Sequence, residues 1–463
     1  MGRWRAEHNR RVAARVKEFW SKNRVLIVVL GVVGALAIGG LAIVGWLALS
    51  FWDFPVAARA LPDTMAQYRA LGLPWVAADL APKPPVAPED NAAPHLVALT
   101  ALLEARDSEI RQLRDALRQG KPDVEARLVA FETELALARR AASYPRADFG
   151  RDWDLGAVVE YRELAGMKRA AQILGYHVEW SASMGRFDQA ADDLRAMRRL
   201  GAFAGADPVL LGLLVNIVID GIACEAAERA LASAEGDLGA LRRLREAVAD
   251  GPLVDFRYPL KGEMYQGVAT ARNQHLFPRS EEDGEDAKPI DPAALLRDGV
   301  PASEYQQALL QRHLALWVEA QKAIGRAHPD PRKDADTLDA IGSRLEGERG
   351  LSHALIANMF PIFGQAGRAV VQHEARLACV DALAGALEYR AQHGEWPASL
   401  PGAPLDPFDG KPLRYLITRA GIRIYSIGKD EVDDKGRTRL ELPRGKQTGS
   451  FDLVAAYPPV NQK

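Results

Sequence analysis

The distribution of hydrophobic residues divides the chain into one uninterrupted apolar run and a long series of segments with helical periodicity. The run covers Val25 to Leu49 and contains no charged residue. At 1.5 Å per residue it forms a helix of about 37 Å, and the hydrocarbon core of a bilayer is about 30 Å thick. The run therefore predicts a single transmembrane helix over residues 25–49.

Between residues 93 and 350, apolar residues recur at steps of three and four, which is the pattern of helices with one buried face. Glycine and proline stand at the joins, and no alternation typical of strands occurs in this region. The periodic segments are His95–Ala105, Glu109–Arg118, Asp123–Ala142, Gly156–Met184, Phe187–Ala204, Pro208–Ala234, Leu238–Val248 and Ser303–Ala327. They predict a mainly α protein whose central domain is an array of helical hairpins.

One predicted hairpin is sharper than the others and turns at Gly185, where Arg186 to Asp188 begin the second helix. Its inward-facing residues are predicted to be Leu174, Val178, Ser181, Ala190, Ala191, Leu194 and Met197. The Gly-x-Phe-x-x-Ala turn and the leucine and methionine spacing resemble a tetratricopeptide unit. A clean second copy at the period of about 34 residues does not occur.

Residues 50–92 connect the apolar run to the helical domain. Pro62 to Leu71 predicts a short juxtamembrane helix, because proline suits the first turn of a helix. Residues 81–90 then read APKPPVAPED, with four prolines in ten residues. Such a segment forms neither a helix nor a central strand, which predicts an extended spacer.

The pattern changes in residues 351–463, which are predicted to form a small α+β unit. Gln365 to His393 predicts a long helix that ends at Gly394, because glycine adopts the left-handed conformation at helix ends at little cost. The predicted strands are Leu413–Ile417, Ile422–Ile427, Arg439–Leu442 and Phe451–Ala455. Gly421 between the first two predicts a hairpin, and therefore an antiparallel sheet.

Charge orients the predicted membrane helix. Residues 1–24 contain eight Lys/Arg and two Asp/Glu side chains, a net charge of +6. The positive-inside rule places this basic tail in the cytoplasm and the bulk of the chain outside the inner membrane. The remaining 439 residues carry a net charge of −8. A mildly acidic surface argues against nucleic acid as a partner and leaves membrane lipid and other envelope proteins.

The apolar run has one alternative interpretation and one further implication. Ala48 to Ser50 resembles a cleavage site, so a cleaved signal peptide is the alternative; however, the run exceeds the roughly 7–15 apolar residues of such peptides. Gly31, Ala35 and Gly39 lie four residues apart on one face. Small residues at this spacing let two membrane helices approach closely, which predicts a homodimer. The alternative is that such residues are simply common in membrane helices.

Three motifs occur in a fixed order in residues 365–430. They are Tyr389-Arg390…His393-Gly394-Glu395-Trp396-Pro397…Leu400, then Asp406-Pro407-Phe408-Asp409-Gly410-Lys411-Pro412…Tyr415, then Tyr425-Ser426-Ile427-Gly428-Lys429-Asp430. This order resembles the C-terminal part of the major pseudopilin of type II secretion. The whole chain is also similar to uncharacterised bacterial membrane-anchored helical proteins. Unlike pseudopilins, it has no prepilin cleavage site and no Phe-Thr-Leu-x-Glu start, so assembly into a pilus is not expected.

The resemblance to pseudopilins implies a calcium site, because in that family the loop after the last motif binds calcium. The matching residue is Asp430, with Asp433 and Asp434 close by. Carboxylates are suitable calcium ligands. An EF-hand is excluded, since Val432 and Lys435 occupy its third and sixth positions. A plain charged turn is the alternative.

The acidic segments Ser280–Asp291 and 328–336 are interpreted as solvated surface loops.

Candidate chemistry elsewhere is sparse. Cys224 and Cys379 are interpreted as buried hydrophobic residues, with a single disulfide as the alternative. No nucleophile elbow, phosphate loop or HExxH motif occurs, and His373-Glu374 lacks a second histidine. His177 and Glu179 lie close to Asp188 in the hairpin without a third partner. The sequence therefore predicts a membrane-anchored interaction or scaffold module. Its alternatives are a secretion-apparatus component and an envelope hydrolase.

Overall fold

The computed structural model describes residues 53–251, 255–272, 296–297, 300–301, 304–325, 330–346, 360–438, 441 and 451–460. This part of the chain is mainly helical and ends in a small antiparallel sheet, which confirms the predicted class. The predicted membrane helix Val25–Leu49, its residues Gly31, Ala35 and Gly39, and the acidic segment Ser280–Asp291 lie outside the described residues.

The helices of the first half follow the predicted periodic segments closely. They are α1 (Asp53–Ala70), α2 (Ala93–Leu103), α3 (Asp107–Arg118), α4 (Val124–Val129), α5 (Glu132–Ala142), α6 (Arg162–Ser183) and α7 (Phe187–Ala204). The α6–α7 hairpin turns at Gly185, whose φ is +71°. All of its predicted inward-facing residues are buried.

The second half adds the longest helices and the strands. They are α8 (Leu210–Ser233), α9 (Leu238–Ala249), α10 (Arg257–Arg272), β1 (Leu296–Arg297), β2 (Val300–Pro301), α11 (Glu304–Ile324), α12 (Pro331–Glu346), α13 (Phe360–His393), β3 (Arg414–Ile417), β4 (Ile422–Ser426) and β5 (Leu453–Tyr457). The short β1–β2 pair was not predicted from the sequence.

The C-terminal sheet has the order β3-β4-β5 with both pairs antiparallel. Ile422 and Ile424 of β4 face α13 and join the main core, whereas Arg423 and Tyr425 lie on the other face of the sheet. The predicted hairpin and the strand near Phe451 are confirmed. Of the predicted strand Arg439–Leu442 only Glu441 is described, and it lies in a turn.

Two hydrophobic clusters form the core, and α8 and α13 run through both. The larger cluster combines α2 to α9 with the second half of α13 and with the sheet. The other is built from α1, α10, α11 and α12 and contains Trp317, Tyr265 and Phe256. Because α13 carries residues of both clusters, the C-terminal unit shares its core with the helical domain.

Helix α8 is apolar because it lies inside the domain, surrounded by other helices. Among the described residues it is the one helix long and apolar enough to cross a membrane by length and composition. It packs against α6, α7 and α13. Its buried polar residues Asn216, Asp220 and Glu228 mark it as a core helix of this domain, since each faces a neighbouring polar side chain.

The prediction of one continuous helix over Asp123–Ala142 is wrong. The break falls at Phe131, which is buried and has φ −109° and ψ 11°. Arg106 lies over the Phe131 ring at 3.9 Å, and its Nη2 donates to the carbonyl of Ala130 at 3.0 Å. A side chain from another part of the chain therefore satisfies a carbonyl that a continuous helix would have used.

The predicted helix Gly156–Met184 also begins later, at Arg162. Gly156 has φ +60°, and a Cβ there would lie 2.9 Å from the backbone nitrogen of Thr270. The chain thus crosses α10 at a point where only glycine fits, and the residues around it form a 3₁₀ turn, Trp153–Val158.

Residues 328–336 were predicted to be a solvated loop. This prediction is wrong for the residues from Pro331 onward, which form the start of helix α12. Pro331 and Asp334 occupy the first turn of α12, where proline and a carboxylate both favour a helix start. Asp334 is fully buried and pairs with Arg257, whose Nε lies 2.8 Å from its Oδ2.

The proline-rich segment 81–90, predicted to be an extended spacer, packs against the helical domain. The carbonyl of Pro84 accepts a hydrogen bond from Arg146 Nη1 at 2.9 Å. Asn91 just beyond it donates from Nδ2 to the carbonyl of Asp148 at 2.9 Å. One 3₁₀ turn, Pro88–Asp90, lies within the segment. Helix α1, predicted to be short, extends from Asp53 and packs on α11.

Candidate functional site

The predicted calcium residues lie in the loop that follows β4. Asp430 is exposed, and its Oδ1 accepts from the backbone nitrogen of Val432 at 3.3 Å. Asp433 Oδ1 accepts from the Lys435 nitrogen at 2.8 Å and from the Tyr425 hydroxyl at 3.1 Å. The loop is therefore held against the outer face of the sheet, next to Tyr425.

A fourth carboxylate, Asp452, organises this loop from the edge of β5. Its Oδ2 accepts from the Gly436 nitrogen at 2.7 Å, and its Oδ1 accepts from the Asp434 nitrogen at 3.3 Å. Burial raises the pKa of Asp452 to about 6, and the negative charges of Asp433 and Asp434 add to this rise. Asp452 was not predicted as a site residue, because it lies 18 residues after Asp434 and belongs to no motif of the loop.

The geometry brings Asp433, Asp434 and Asp452 together, while Asp430 caps its own turn. The described residues contain no ready-made group of three or more His, Cys, Asp or Glu side chains arranged to hold a metal ion. A calcium ion at this loop would therefore require its carboxylates to turn toward one point, and the site stays a prediction.

A buried Ser–His–Asp group occurs within the helical hairpin. His177 on α6 lies 2.5 Å from Asp193 Oδ2 on α7, and Ser181 Oγ lies 3.3 Å from the same histidine. In a catalytic triad the serine and the aspartate contact different ring nitrogens. Here both contact Nδ1, and Ser181 is fully buried. The group therefore ties α6 to α7, and Arg139 of α5 joins it through Asp193 at 2.7 Å.

A second buried ionic group connects α7, α8 and α13. Arg198 pairs with Asp220, and His373 Nε2 lies 3.2 Å from the same carboxylate. All three side chains are nearly inaccessible to solvent. A third group joins Arg376 of α13 to Glu228 of α8 at 2.6 Å. These groups have structural partners on neighbouring helices, which accounts for buried charges inside an apolar core.

Both cysteines are free and buried. Burial raises the pKa of the Cys224 and Cys379 thiols to about 12. Cys379 Sγ lies 3.5 Å from the carbonyl of Leu453. The interpretation as small buried hydrophobic residues is confirmed, and the structure contains no disulfide between them.

A cleft of about 580 Å³, hereafter the basic cleft, lies outside all these clusters. It is formed where residues 79–83 and 145–148 meet the C-terminal end of α7 and the first turns of α10. Its wall contains four cations, which are Lys83, Arg146, Arg199 and Lys261. Its aromatic side chains are Trp153, Phe203 and Tyr258.

The three carboxylates of the basic cleft already have partners within the chain. Asp79 Oδ2 accepts from the Trp75 nitrogen at 2.8 Å, and Asp148 Oδ1 accepts from the Gly150 nitrogen at 3.0 Å. Asp207 pairs with Arg151 at 2.8 Å. Burial raises the pKa of Asp207, and the Arg151 charge opposes that rise.

The cations divide into two kinds. Arg146 and Arg199 stabilise the walls of the cleft through hydrogen bonds to backbone carbonyls. Arg146 donates to Pro84, and Arg199 Nη2 donates to Pro145 at 2.6 Å. Lys83 and Lys261 are exposed and make no ion pair with the part of the chain that the structure describes. The lining therefore carries four cations and three carboxylates, a net charge of +1 within a mildly acidic protein.

In comparisons with known proteins, no family model, no curated protein and no solved structure matches the chain.

Proposed function

We propose that the chain is a single-pass, membrane-anchored extracytoplasmic protein of the inner membrane that acts as an interaction or scaffold module. The basic tail 1–24 and the uncharged run Val25–Leu49 support the anchor. Helix α1 begins at Asp53, a few residues beyond the predicted membrane helix. A rigid helical domain would thus be held close to the bilayer, and helical-hairpin domains, including tetratricopeptide-like ones, offer grooves for partners.

The observation that carries this proposal is the basic cleft. It is an accessible recess whose walls are fixed by hydrogen bonds to backbone carbonyls and whose exposed lysines have no ionic partner among the described residues. The buried histidines of the described chain, in contrast, tie helices together. A recognition surface fits this distribution better than a hydrolase, which needs a nucleophile and a base facing the same cavity.

The proposal is tested by affinity purification of the full-length tagged chain from detergent-solubilised membranes after mild cross-linking. Quantitative mass spectrometry should identify envelope proteins that are enriched over a tag fused to residues 1–52 alone. Equal recovery from the two baits would remove the basis for a scaffold role of residues 53–463.

Topology has its own test. A reporter that works only outside the cytoplasm, fused after Lys463, should be active, whereas the same reporter fused before Arg3 should be inactive. A C-terminal fusion that is active only in the cytoplasm would contradict the extracytoplasmic location.

A specific observation favours the second candidate, a component of a secretion apparatus related to pseudopilins. Two of the three motifs of the resemblance meet in space: Asp406 accepts hydrogen bonds from the hydroxyl of Ser426 at 2.8 Å and the nitrogen of Ile427 at 3.0 Å. This candidate predicts co-purification with subunits of a secretion platform. Recovery of the anchored protein without any such subunit would count against it.

A calcium ion in the loop Asp430–Gly436 is part of the same pseudopilin-like proposal. The supporting feature is the negative charge that Asp433, Asp434 and Asp452 concentrate at the edge of the sheet. Calcium coordinates carboxylate oxygens with flexible geometry, and rotation of these side chains toward one point would form the site.

A further inference from the structure

We propose that the basic cleft binds an extended acidic segment of a partner protein, with Lys83 and Lys261 each pairing with a separate carboxylate. This inference rests on the proposed scaffold function and names the chemistry of its partner. It starts from the charge of the cleft: its lining carries four cations against three carboxylates, and the two exposed lysines make no ion pair with the residues that the structure describes.

The arrangement of the cations favours a peptide over a compact anion such as phosphate. A phosphate site concentrates bidentate arginines or backbone nitrogens on one point. Here Arg146 Nη1 donates to the carbonyl of Pro84, and Arg199 donates to the carbonyls of Tyr144 and Pro145. The two exposed lysines lie on separate chain segments and would act as point charges for two spaced carboxylates.

The cleft also provides contacts for the apolar parts of a peptide. Tyr258 is 37% exposed, and its hydroxyl is held by the carbonyl of Ala206 at 2.9 Å, so its ring presents a fixed flat surface. The Lys261 ammonium lies 6.0 Å from the centre of this ring. A volume of about 580 Å³ accommodates several side chains of an extended segment.

The test measures fluorescence anisotropy of a labelled peptide of alternating glutamate and serine, titrated with the full chain in nanodiscs of neutral lipid. The variant Lys83→Gln/Lys261→Gln should weaken binding at least about fivefold, since each exposed ion pair contributes modestly. The matched control is Lys121→Gln/Lys168→Gln, which removes the same charge from exposed lysines outside the cleft. It should change the affinity less than about twofold, because these lysines do not line the cleft and salt screens exposed charges.

Three results would overturn the inference. One is equal affinity of wild type and the cleft variant; another is equal loss in the control variant, which would indicate a general charge effect. The third is displacement of the peptide by inorganic phosphate at concentrations where chloride of equal ionic strength has no effect, which would indicate a small-anion site. If envelope partners are still captured from membranes in any of these cases, the scaffold function stands and only this assignment of the cleft fails.

Discussion

Asp406 accepts a hydrogen bond from the hydroxyl of Ser426 at 2.8 Å, and this contact joins two motifs that are 20 residues apart in the chain. The same carboxylate accepts from the Ile427 nitrogen at 3.0 Å and from Arg414 Nη1 at 2.6 Å. Asp406 is fully buried. It therefore fixes the proline-rich path after α13 onto the end of β4, and the sheet depends on it.

Replacing this carboxylate should destabilise the C-terminal unit strongly. Asp406→Asn removes one of the two carboxylates that pair with Arg414, the other being Asp409, and presents an amide NH₂ to backbone donors, so we expect a loss of about 2–3 kcal/mol of unfolding free energy. Ser426→Ala should cost about 1 kcal/mol. Urea unfolding monitored by circular dichroism measures both. Asp430→Asn, an exposed control, should change stability by less than about 0.5 kcal/mol; an Asp406 variant as mild as this control would refute the role of Asp406.

The sequence predicted most helices and the C-terminal hairpin because their signals are local. The apolar period of α7 and the glycine at position 185 lie within a few turns of the residues they organise. The break at Phe131 was missed, because Arg106 from an earlier segment causes it. The start of α12 was missed because the buried position of Asp334 depends on Arg257 of α10.

The site residues, too, could be predicted only where their signal is local in the sequence. The acidic loop was found through a short motif, whereas Asp452, which holds the loop, belongs to a distant strand. Lys83 and Lys261 come from segments that meet only in the folded chain. Neither lysine has a local pattern that separates it from an ordinary surface lysine, so the basic cleft follows from the tertiary structure alone.

Close approach of α7 and α8 at Gly201 gives a second test. A Cβ at Gly201 would lie 2.7 Å from Asn216 Oδ1 and 3.0 Å from Asp220 Oδ1. Gly201→Ala should therefore push apart the helices beside the Arg198–Asp220 pair and cost about 1–3 kcal/mol. The control Gly221→Ala has no atom within 4 Å of its Cβ, and helix propensity should stabilise it by up to about 1 kcal/mol. Thermal unfolding measures the stability of both variants. Equal changes in stability for Gly201→Ala and Gly221→Ala would contradict the close packing of α7 on α8.

Thiol reactivity tests the interior around α8 and α13. Since burial raises the pKa of Cys224 and Cys379 to about 12, almost no thiolate exists at pH 8 and reagent cannot reach it. Ellman's reagent should therefore react with neither cysteine in the native chain and with both after denaturation without reductant. Rapid labelling of the native chain would show that this interface is open. A denatured chain with no reactive thiol would indicate a disulfide.

The burial of Glu228 should make stability fall as pH rises, and the charge of Arg376 opposes this effect. Burial raises the pKa of Glu228 to about 7, against an ordinary value of 4.5. A raised carboxyl pKa in the folded state means that the folded chain binds the proton more tightly. The contribution is thus complete below pH 4.5 and is lost as pH rises toward 7, by at most about 3 kcal/mol.

Glu228→Gln should remove this dependence. The variant should be closest to wild type in stability near pH 4.5, where Glu228 is protonated in the folded chain, and its free energy of unfolding should change less between pH 4.5 and 7 than that of wild type. Urea unfolding across this pH range measures the difference. Parallel pH profiles for wild type and variant would show that Glu228 does not titrate differently in the folded state.

Calcium binding at the loop after β4 should depend on pH through Asp452. Its pKa is raised to about 6 from an ordinary 3.8, so without a cation its contribution to stability is lost as pH rises from about 4 to 6. A bound calcium ion requires the ionised form and offsets the repulsion from Asp433 and Asp434. Excess calcium should therefore raise the melting temperature over chelator by at least about 2 °C at pH 7.5, and by less at pH 5.

Variants separate a specific site from general screening by the ion. Asp452→Asn and Asp430→Ala should both reduce the calcium-dependent shift at pH 7.5, the first more, because Asp452 also positions the loop through Gly436. Glu395→Ala, an exposed carboxylate outside the loop, should leave the shift unchanged. Magnesium at the same concentration controls for ionic strength and should act weakly, since it demands a stricter octahedral geometry. A melting temperature that is the same in calcium and chelator, with Asp430→Ala silent, would exclude the site and leave the loop as a charged turn held by Asp452.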